Sequence, residues 1–253
     1  MDEVEIIRYA QSLDRSADSA ERLYEFLLGE FSLARPSEAP MERRGKFITF
    51  DGHSGAGKDT QMGMLMDYMR SDGFYGNFNI VPLVQKREDP FRQIPKFLWA
   101  HPELQAGDYC SFLLLNAGRR YHVHSKVLPQ LEDHKNILMQ NRSYLSHVAY
   151  HANDACQLPD LLAFCSFDPA ADLPFVLGCN TDTAFERVER RSPEKGGVIY
   201  RNETPEYIAR VKANFEAMAG LVDGLMPVDT SGTPEEAAQC IRGHVDRLFG
   251  RVS

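Results

Sequence analysis

The chain contains 253 residues, of which 43% are hydrophobic and 25% charged, and its formal net charge is −8. This composition is typical of a globular protein with one complete hydrophobic core. The sequence contains no run of roughly 18 apolar residues, which a membrane-spanning helix would need. The acidic balance argues against broad binding to a nucleic-acid polymer, so an anionic ligand would need a local cluster of cations.

The start of the chain and its cysteines lead us to expect a cytoplasmic protein. The first residues are acidic and mixed, without the basic start and apolar block of a secretory signal. The cysteines are odd in number, widely spaced and without a C-x-x-C pair, which indicates reduced, mostly buried thiols rather than disulfides or a zinc site. They are Cys110, Cys156, Cys165, Cys179 and Cys240.

Residues 1–40 differ from the rest of the chain. Apolar residues recur at roughly helical spacing from Ile6 to Leu13 and again from Leu23 to Phe31, which predicts two short amphipathic helices. The following stretch has two prolines and a charge cluster and is typical of a linker. We interpret residues 1–40 as an extension with a packing or dimerising role, followed by a main domain over residues 41–253.

From residue 46 onward, short apolar runs alternate with longer helical patterns, which predicts an α/β fold with a parallel sheet covered by helices. Thr204 and Thr233 are each followed by a proline and are predicted to cap helices. The predicted strands are 47–50, 80–84, 136–140, 175–179 and 225–228. The predicted helices are 58–70, 108–131, 144–152, 183–191, 205–222 and 234–249.

The stretch GHSGAGK, residues 52–58, matches the first seven positions of the phosphate-binding motif G-x-x-x-x-G-K-[ST] and lies between a predicted strand and a predicted helix. Its glycines let backbone N–H groups converge on phosphate oxygens, and Lys58 can bridge the terminal phosphates. The alternative is a glycine-rich turn without a ligand. The predicted ATP-binding residues are Gly52, His53, Ser54, Gly55, Ala56, Gly57, Lys58, Asp59 and Thr60.

Several stretches together resemble the thymidylate kinase family of P-loop nucleoside monophosphate kinases. FITFDGHSGAGKDTQ (47–61) is similar to the opening of these enzymes, and LLNAGRRYHV (114–123) and ILMQNRSYLSHVAYH (137–151) are similar to two of their acceptor-site segments. The resemblance extends from about residue 45 to 249 but leaves out 158–173. It implies a three-layer fold with a five-stranded parallel sheet, a homodimer, and ATP- and Mg²⁺-dependent phosphorylation of a pyrimidine deoxynucleoside monophosphate, with dTMP as the first expectation.

The resemblance also implies an acceptor site built from arginines, whose forked guanidinium groups suit phosphate oxygens. Arg87, Arg120 and Arg142 are implied to bind the acceptor phosphate, with Arg119 in place of Arg120 if the alignment shifts by one residue. Tyr150 is implied to lie against the sugar. The other implied substrate-binding residues are Ser146, His147 and His151, and either Phe91 or Phe97 would contact the base or simply pack in the core.

A basic segment at about residues 187–203 resembles the lid of the family. It carries Arg187, Arg190, Arg191, Lys195 and Arg201 around a Gly-Gly pair. The implied catalytic residues are Lys58, Arg142, Arg190 and Arg191.

Three residues at the expected reaction site depart from the family pattern. Asp59 replaces a magnesium-side hydroxyl, Asn141 replaces an aspartate, and Ser54 replaces an acidic residue near the acceptor sugar. Because Mg²⁺ prefers a few carboxylate oxygens, Asp59 is our predicted metal ligand and Thr60 is the other candidate. The alternatives are a P-loop kinase for another acceptor and a catalytically silent nucleotide-binding protein. His122 and His124 are interpreted as surface or helix-packing residues.

Overall fold

The computed structural model describes residues 2–39, 41–83, 91, 93–94, 97–98, 101–104, 107–195, 197 and 199–251. The strands are β1 (Lys46–Gly52), β2 (Asn79–Leu83), β3 (Asn136–Asn141), β4 (Leu173–Gly178) and β5 (Met226–Asp229). The longer helices are α1 (Glu3–Ser12), α2 (Ala17–Glu30), α3 (Lys58–Ser71), α4 (Asp108–His122), α8 (Thr181–Arg191), α9 (Pro205–Met218) and α10 (Pro234–Leu248). The shorter ones are α5 (Leu128–Leu131), α6 (Tyr144–His151) and α7 (Leu158–Ala163).

The five strands form one parallel sheet in the order β2-β3-β1-β4-β5. Its central strands are almost entirely buried, as their continuous apolar runs require in a sheet covered on both faces. One face packs on α3 and α10, and the other face supports a larger core that includes α4, α6 and α9. The predicted three-layer fold is therefore confirmed.

Helices α1 and α2 belong to that larger core. Ile6, Ile7, Leu23 and Leu27 are at most 1% exposed and cluster with Phe112 of α4. The two helices therefore pack as part of the main core rather than standing apart from it.

The predicted helix over 108–131 contains a π-helical turn at Val123–Val127 between α4 and α5. Pro129 follows this turn and explains it. A proline has no N–H to donate to the carbonyl four residues earlier, and its ring clashes with that carbonyl, here of Ser125. A wider turn removes the clash.

Local signals set several helix starts as expected. Thr204 accepts a hydrogen bond from the Tyr207 N–H, and Thr233 and Glu236 form a reciprocal capping box. All five cysteines are free thiols and four are buried. Among the described helices, none is both long enough and apolar enough to cross a bilayer.

Candidate active site

The phosphate cradle, residues 52–58, follows β1 at the carboxyl edge of the sheet. β1 pairs with β3 on one side and with β4 on the other, and α3, which follows β1, packs on one face of the sheet while α6, which follows β3, packs on the other. Such a crevice at the carboxyl ends of strands is where open α/β sheets bind ligands.

Two cradle glycines are required by close backbone contacts. Gly52 has φ +135°, and a Cβ added there would lie 2.1 Å from the Leu177 carbonyl oxygen. Gly55 has φ +78°, and its Cβ would lie 2.2 Å from the Ala184 carbonyl oxygen. Only glycine adopts these backbone conformations at this spacing without strain. The loop is therefore pressed between β4 and α8.

His53 stabilises the loop through two hydrogen bonds of its ring. Its buried ring accepts a hydrogen bond at Nε2 from the Cys179 N–H (3.2 Å), which leaves Nδ1 as the donor to the Ser54 carbonyl (2.8 Å). This neutral form agrees with the lowered pKa of His53, which is caused first by burial. His53 thus ties the cradle to the end of β4, a supporting contact within the predicted ATP-binding segment.

Lys58 lies at the base of the cradle and is 6% exposed. Its Nζ donates to the carbonyl oxygens of Gly52 (3.0 Å) and His53 (2.7 Å). Burial and then the nearby charge of Arg142 hold the pKa of Lys58 below its ordinary value. A phosphate beside this ammonium would relieve both effects, because an opposite charge favours the protonated form.

A cleft of about 1010 Å³ opens above the cradle. Within the described part of the chain, five basic side chains line it against two acidic ones, Asp59 and Glu186. The excess of positive charge is local, since the whole chain is acidic. The basic residues are Lys58, Arg142, Arg187, Arg190 and Arg191.

Arg142 enters this cleft from a turn after β3 with φ 68°, a left-handed conformation that is unusual for a residue with a side chain. Its N–H donates to the Phe50 carbonyl (2.9 Å) and its carbonyl accepts from the Gln140 side chain (3.1 Å). Its guanidinium carbon lies 4.8 Å from the centre of the Tyr150 ring. Backbone strain of this kind concentrates at functional sites, where the surrounding structure holds it in place.

The following turn is held by Asp51, which the sequence reasoning did not select. Its fully buried carboxylate accepts hydrogen bonds from the N–H and hydroxyl groups of both Ser143 and Ser146, at 2.6–3.0 Å. An aspartate within an apolar strand was the available signal. Ser146, a predicted substrate-binding residue near the start of α6, thus donates its hydrogen bonds to the Asp51 carboxylate.

The neighbouring arginines of α4 point in different directions. Arg120 makes a two-pronged ion pair with Glu38 (3.0 and 2.7 Å) and also contacts Glu21 of α2. It lines a second cleft, about 610 Å³, between α2 and α4. Its place on the helix thus turns Arg120 toward the N-terminal segment, and its contact with the acceptor phosphate stays a prediction.

Arg119 lies on a different side of α4 from Arg120. It is 8% exposed and forms a two-pronged pair with Asp168. Burial lowers the pKa of the Arg119 guanidinium, but Asp168 and then Asp51 raise it above its ordinary value. Arg119 follows Phe112 by about two helical turns, so it lies on the face of α4 that packs on α6 through the stacked Phe112 and His147 rings.

The remaining acceptor residues are placed as follows. Tyr150 is buried, with its hydroxyl 3.3 Å from the Ser54 hydroxyl, so it borders the cradle. His147 is half-buried and stacks on Phe112 at 4.6 Å between ring centres, and His151 Nδ1 donates to the His147 carbonyl oxygen. Neither histidine lines the cleft over the cradle.

Arg87 lies outside the described residues. Phe91 packs against Gly118 and stacks on Tyr121, while Phe97 contacts the His101 ring. Both phenylalanines therefore have packing partners. His122 and His124 are buried on the helix, as helix-packing residues.

The lid arginines differ in their contacts. Arg187 donates to the carbonyl oxygens of Thr230 (2.8 Å) and Gly55 (3.4 Å), which fixes it beside the cradle. Arg191 pairs with Glu203 at 2.8 Å and lies close enough to Lys58 to lower the lysine pKa. Arg190 is exposed at the cleft. The side chains of Lys195 and Arg201 lie outside the described part of the chain.

Oxygen atoms suited to a hard cation lie at the cradle mouth. Asp59 and Thr60 line the cleft, and the Asn141 amide donates to the Asp59 carboxylate. The Asn141 Oδ1 atom is buried without a hydrogen-bond partner among the described residues. An orphaned amide oxygen beside a carboxylate and a hydroxyl fits Mg²⁺, which takes few protein ligands and relies on phosphates and water for the rest.

The parallel sheet, the glycine cradle with its lysine and the basic cleft define a P-loop phosphotransferase. Residues 50–241 match the sequence model of a family described as thymidylate kinase. Thymidylate kinases from Bradyrhizobium sp. (strain ORS 278) and Leifsonia xyli subsp. xyli (strain CTCB07) are 31% and 30% identical to the chain. These matches cover 83% and 84% of this chain, and 94% and 99% of the relatives.

A solved structure of thymidylate kinase from Candida albicans has the same fold, with a TM-score of 0.63 at 18% identity over 84% of this chain and 96% of that one. The chain belongs to the thymidylate kinase family and is a nucleoside monophosphate kinase.

Proposed function

We propose that the protein transfers the γ-phosphoryl group of ATP to the phosphate of dTMP, giving ADP and dTDP. The observation that carries this proposal is the concentration of five basic side chains around the cradle of an otherwise acidic chain. Phosphoryl transfer proceeds largely through positioning and neutralisation of charge. A cleft of this size and charge suits two phosphate-bearing substrates placed end to end.

On the donor side, the cradle backbone and Lys58 would hold the ATP phosphates. Lys58 now donates to two loop carbonyls, so binding of ATP would exchange one or both of these hydrogen bonds for phosphate oxygens. Arg191 would neutralise charge on the transferring group when it exchanges Glu203 for phosphate. Arg187 would hold the cradle in position through its hydrogen bonds to the Gly55 and Thr230 carbonyl oxygens.

On the acceptor side, Arg142 would bind the monophosphate from its strained turn, with Arg119 facing it from α4. Arg87 is the third arginine that the family resemblance implies. Tyr150 stacks on Arg142 and its hydroxyl contacts that of Ser54, and these contacts support a role for its ring beside the acceptor sugar. A ring in this position disfavours the added bulk of a ribose 2′-hydroxyl, so a deoxynucleotide is the expected acceptor.

Mg²⁺ is the cofactor we propose, held by Asp59 and Asn141 Oδ1, with Thr60 as a further candidate. When bound, it would supply charge that neutralises the phosphates in transfer. The carboxylate at position 59 and the amide at 141 together keep one negative charge at this end of the cleft.

A coupled assay of ADP formation tests the function directly. The enzyme is mixed with ATP, Mg²⁺ and one acceptor at a time from dTMP, dUMP, dCMP, UMP, dAMP and dGMP. We expect the highest kcat/KM with dTMP and a clear preference for dUMP over UMP. Lack of turnover with every acceptor refutes the proposal, and equal rates with dUMP and UMP refute the role of Tyr150.

Homodimerisation and a cytoplasmic location are further proposals that follow from the family resemblance and the composition. Light scattering coupled to size-exclusion chromatography checks the first. Fractionation of the source cells checks the second.

A further inference from the structure

Arg119 and Arg120 are adjacent residues that both bind a carboxylate side-on, and Arg120 also contacts Glu21 through Nη1. In both pairs, Nε and Nη2 of the guanidinium donate to the two carboxylate oxygens. Arg119 binds Asp168 on one side of α4, and Arg120 binds Glu38 on a different side, toward the N-terminal segment. The chain therefore contains an internal comparison between two similar ion pairs in different places.

The Asp168 pair is the more enclosed of the two. The Asp168 side chain is 0% exposed and that of Arg119 is 9% exposed, against 26% and 19% for Glu38 and Arg120. Removing a carboxylate and a guanidinium from water is costly unless both are paired and hydrogen-bonded. The 2.7 and 2.5 Å contacts of this pair meet that requirement.

Asp168 comes from the segment 158–173, which contains α7 and a turn in which the Asp168 N–H donates to the Cys165 carbonyl at 3.0 Å. The carboxylate of Asp168 extends from this turn and pairs with Arg119 of α4.

The side-on pairing leaves one edge of the guanidinium available. A guanidinium has five N–H donors, and Asp168 uses Nε–H and one N–H of Nη2. Among the described residues, none accepts a hydrogen bond from Nη1 of Arg119. The end of Arg119 thus keeps donors for a second anion while its orientation is fixed by the first.

We propose that Asp168 is a positioning residue that aims the Nη1 edge of Arg119 at the acceptor phosphate. This inference rests on the proposed function, since it needs a phosphorylated acceptor beside Arg142 and the cradle. A planar fork held on one side loses less conformational entropy when it binds phosphate on the other. Asp168 would then lower the KM for the monophosphate without touching it.

The variants Asp168→Asn and Glu38→Gln test the inference as a matched pair. Each keeps the shape of the side chain and removes one charge from a side-on pair. We expect D168N to raise the KM for dTMP about tenfold, as for loss of one well-oriented charged contact, with the KM for ATP unchanged. E38Q should leave both KM values unchanged, because Arg120 faces away from the cradle.

Calorimetric binding of dTMP without ATP gives a second readout that does not depend on turnover. The Kd should rise about tenfold in D168N and stay constant in E38Q. If D168N is poorly folded, Asp168→Glu keeps the charge while displacing it by one methylene, and its KM for dTMP should still rise. Unchanged dTMP affinity in a folded Asp168 variant, or equal effects in D168N and E38Q, overturns the inference.

Assays of the wild-type enzyme distinguish a failure of the proposed function from a failure of the role of Asp168. If it phosphorylates none of the nucleoside monophosphates, both the proposed function and the role of Asp168 are wrong. If it is active on dTMP and D168N behaves like wild type, only the role of Asp168 is wrong.

Discussion

The Asn141 side-chain amide donates a hydrogen bond to the Asp59 carboxylate, which joins the end of β3 to the first turn of α3. The two residues stand where the family pattern has an aspartate and a hydroxyl, so a carboxylate and a neutral polar group have exchanged places. Their contact in the structure supports the view that the exchange is compensated locally, with the charge conserved at the mouth of the cradle.

Replacing Asp59 with asparagine should weaken the magnesium dependence of ATP binding. We expect the Mg²⁺ concentration that gives half of the ATP-induced rise in Tm to increase about tenfold, because a carboxylate ligand is lost. The double variant D59N/N141D returns a carboxylate to the other position and should recover much of the wild-type behaviour. An identical Mg²⁺ midpoint in D59N and wild type would count against Asp59 as a ligand.

Alanine at two cradle glycines should have unequal effects on stability. Gly55 and Gly57 both have φ +78°, but a Cβ meets the Ala184 carbonyl oxygen at 2.2 Å in the first case and nothing within 4 Å in the second. G57A should cost about 1–2 kcal/mol, the usual penalty for a left-handed alanine. G55A should cost clearly more, because backbone must move. Urea denaturation of both variants measures the difference, and equal losses would contradict the packing of the loop against α8.

Substitution of Arg191 should lower kcat more than substitution of Arg190. Arg191 lies within electrostatic reach of Lys58 and is poised on Glu203, whereas Arg190 is exposed. We expect R191Q to reduce kcat by about 100-fold or more, in line with the value of arginines that stabilise phosphoryl transfer. R190Q should have a smaller effect. Steady-state kinetics with saturating ATP and dTMP decides, and the reverse order would assign the transfer role to Arg190.

His122 should make the fold sensitive to mild acid. Burial first, and then the charges of Arg119 and Lys126, lower its pKa from 6.5 to about 4. The unfolded chain therefore binds a proton in the window between these values when the folded chain does not, so the free energy of unfolding falls as pH drops through it. The loss attributable to His122 reaches about 3 kcal/mol near pH 4.

The variant H122Q removes this titration and is the test. Half-buried His147 and His151 also have lowered pKa values, chiefly through burial, and add a loss in the same direction. Urea denaturation at pH 7, 6, 5 and 4 should therefore show a shallower decline in H122Q than in wild type. Parallel declines would mean that His122 is protonated in the folded chain over this range.

The strands, helix caps and cradle were predictable from sequence because they depend on local patterns. Apolar runs fix the strands, and the glycines with Lys58 require a strand-to-helix turn. The choice between Arg119 and Arg120 was not predictable, since adjacent helix positions differ by about 100° and point to different neighbours. Only tertiary packing distinguishes the arginine beside Asp168 from the one beside Glu38.

The same limit applies to the acceptor histidines and to Asp51. A histidine on an apolar helix face has the same sequence signature whether it contacts a base or, as His147 does, the Phe112 ring. The role of Asp51 depends on serines more than 90 positions away in the chain. Such partners meet only through the order of the strands.

The burial of α1 and α2 against α4 bears on how this enzyme should be handled and compared. The match to the family model begins at residue 50, after these helices. A protein trimmed to this residue would expose the apolar surface around Phe112 that Leu23 and Leu27 now cover. Such a fragment should aggregate on expression even though every catalytic side chain is retained. Helices α1 and α2 thus supply part of the buried apolar surface on which the folded enzyme depends, although they precede the residues that match the family.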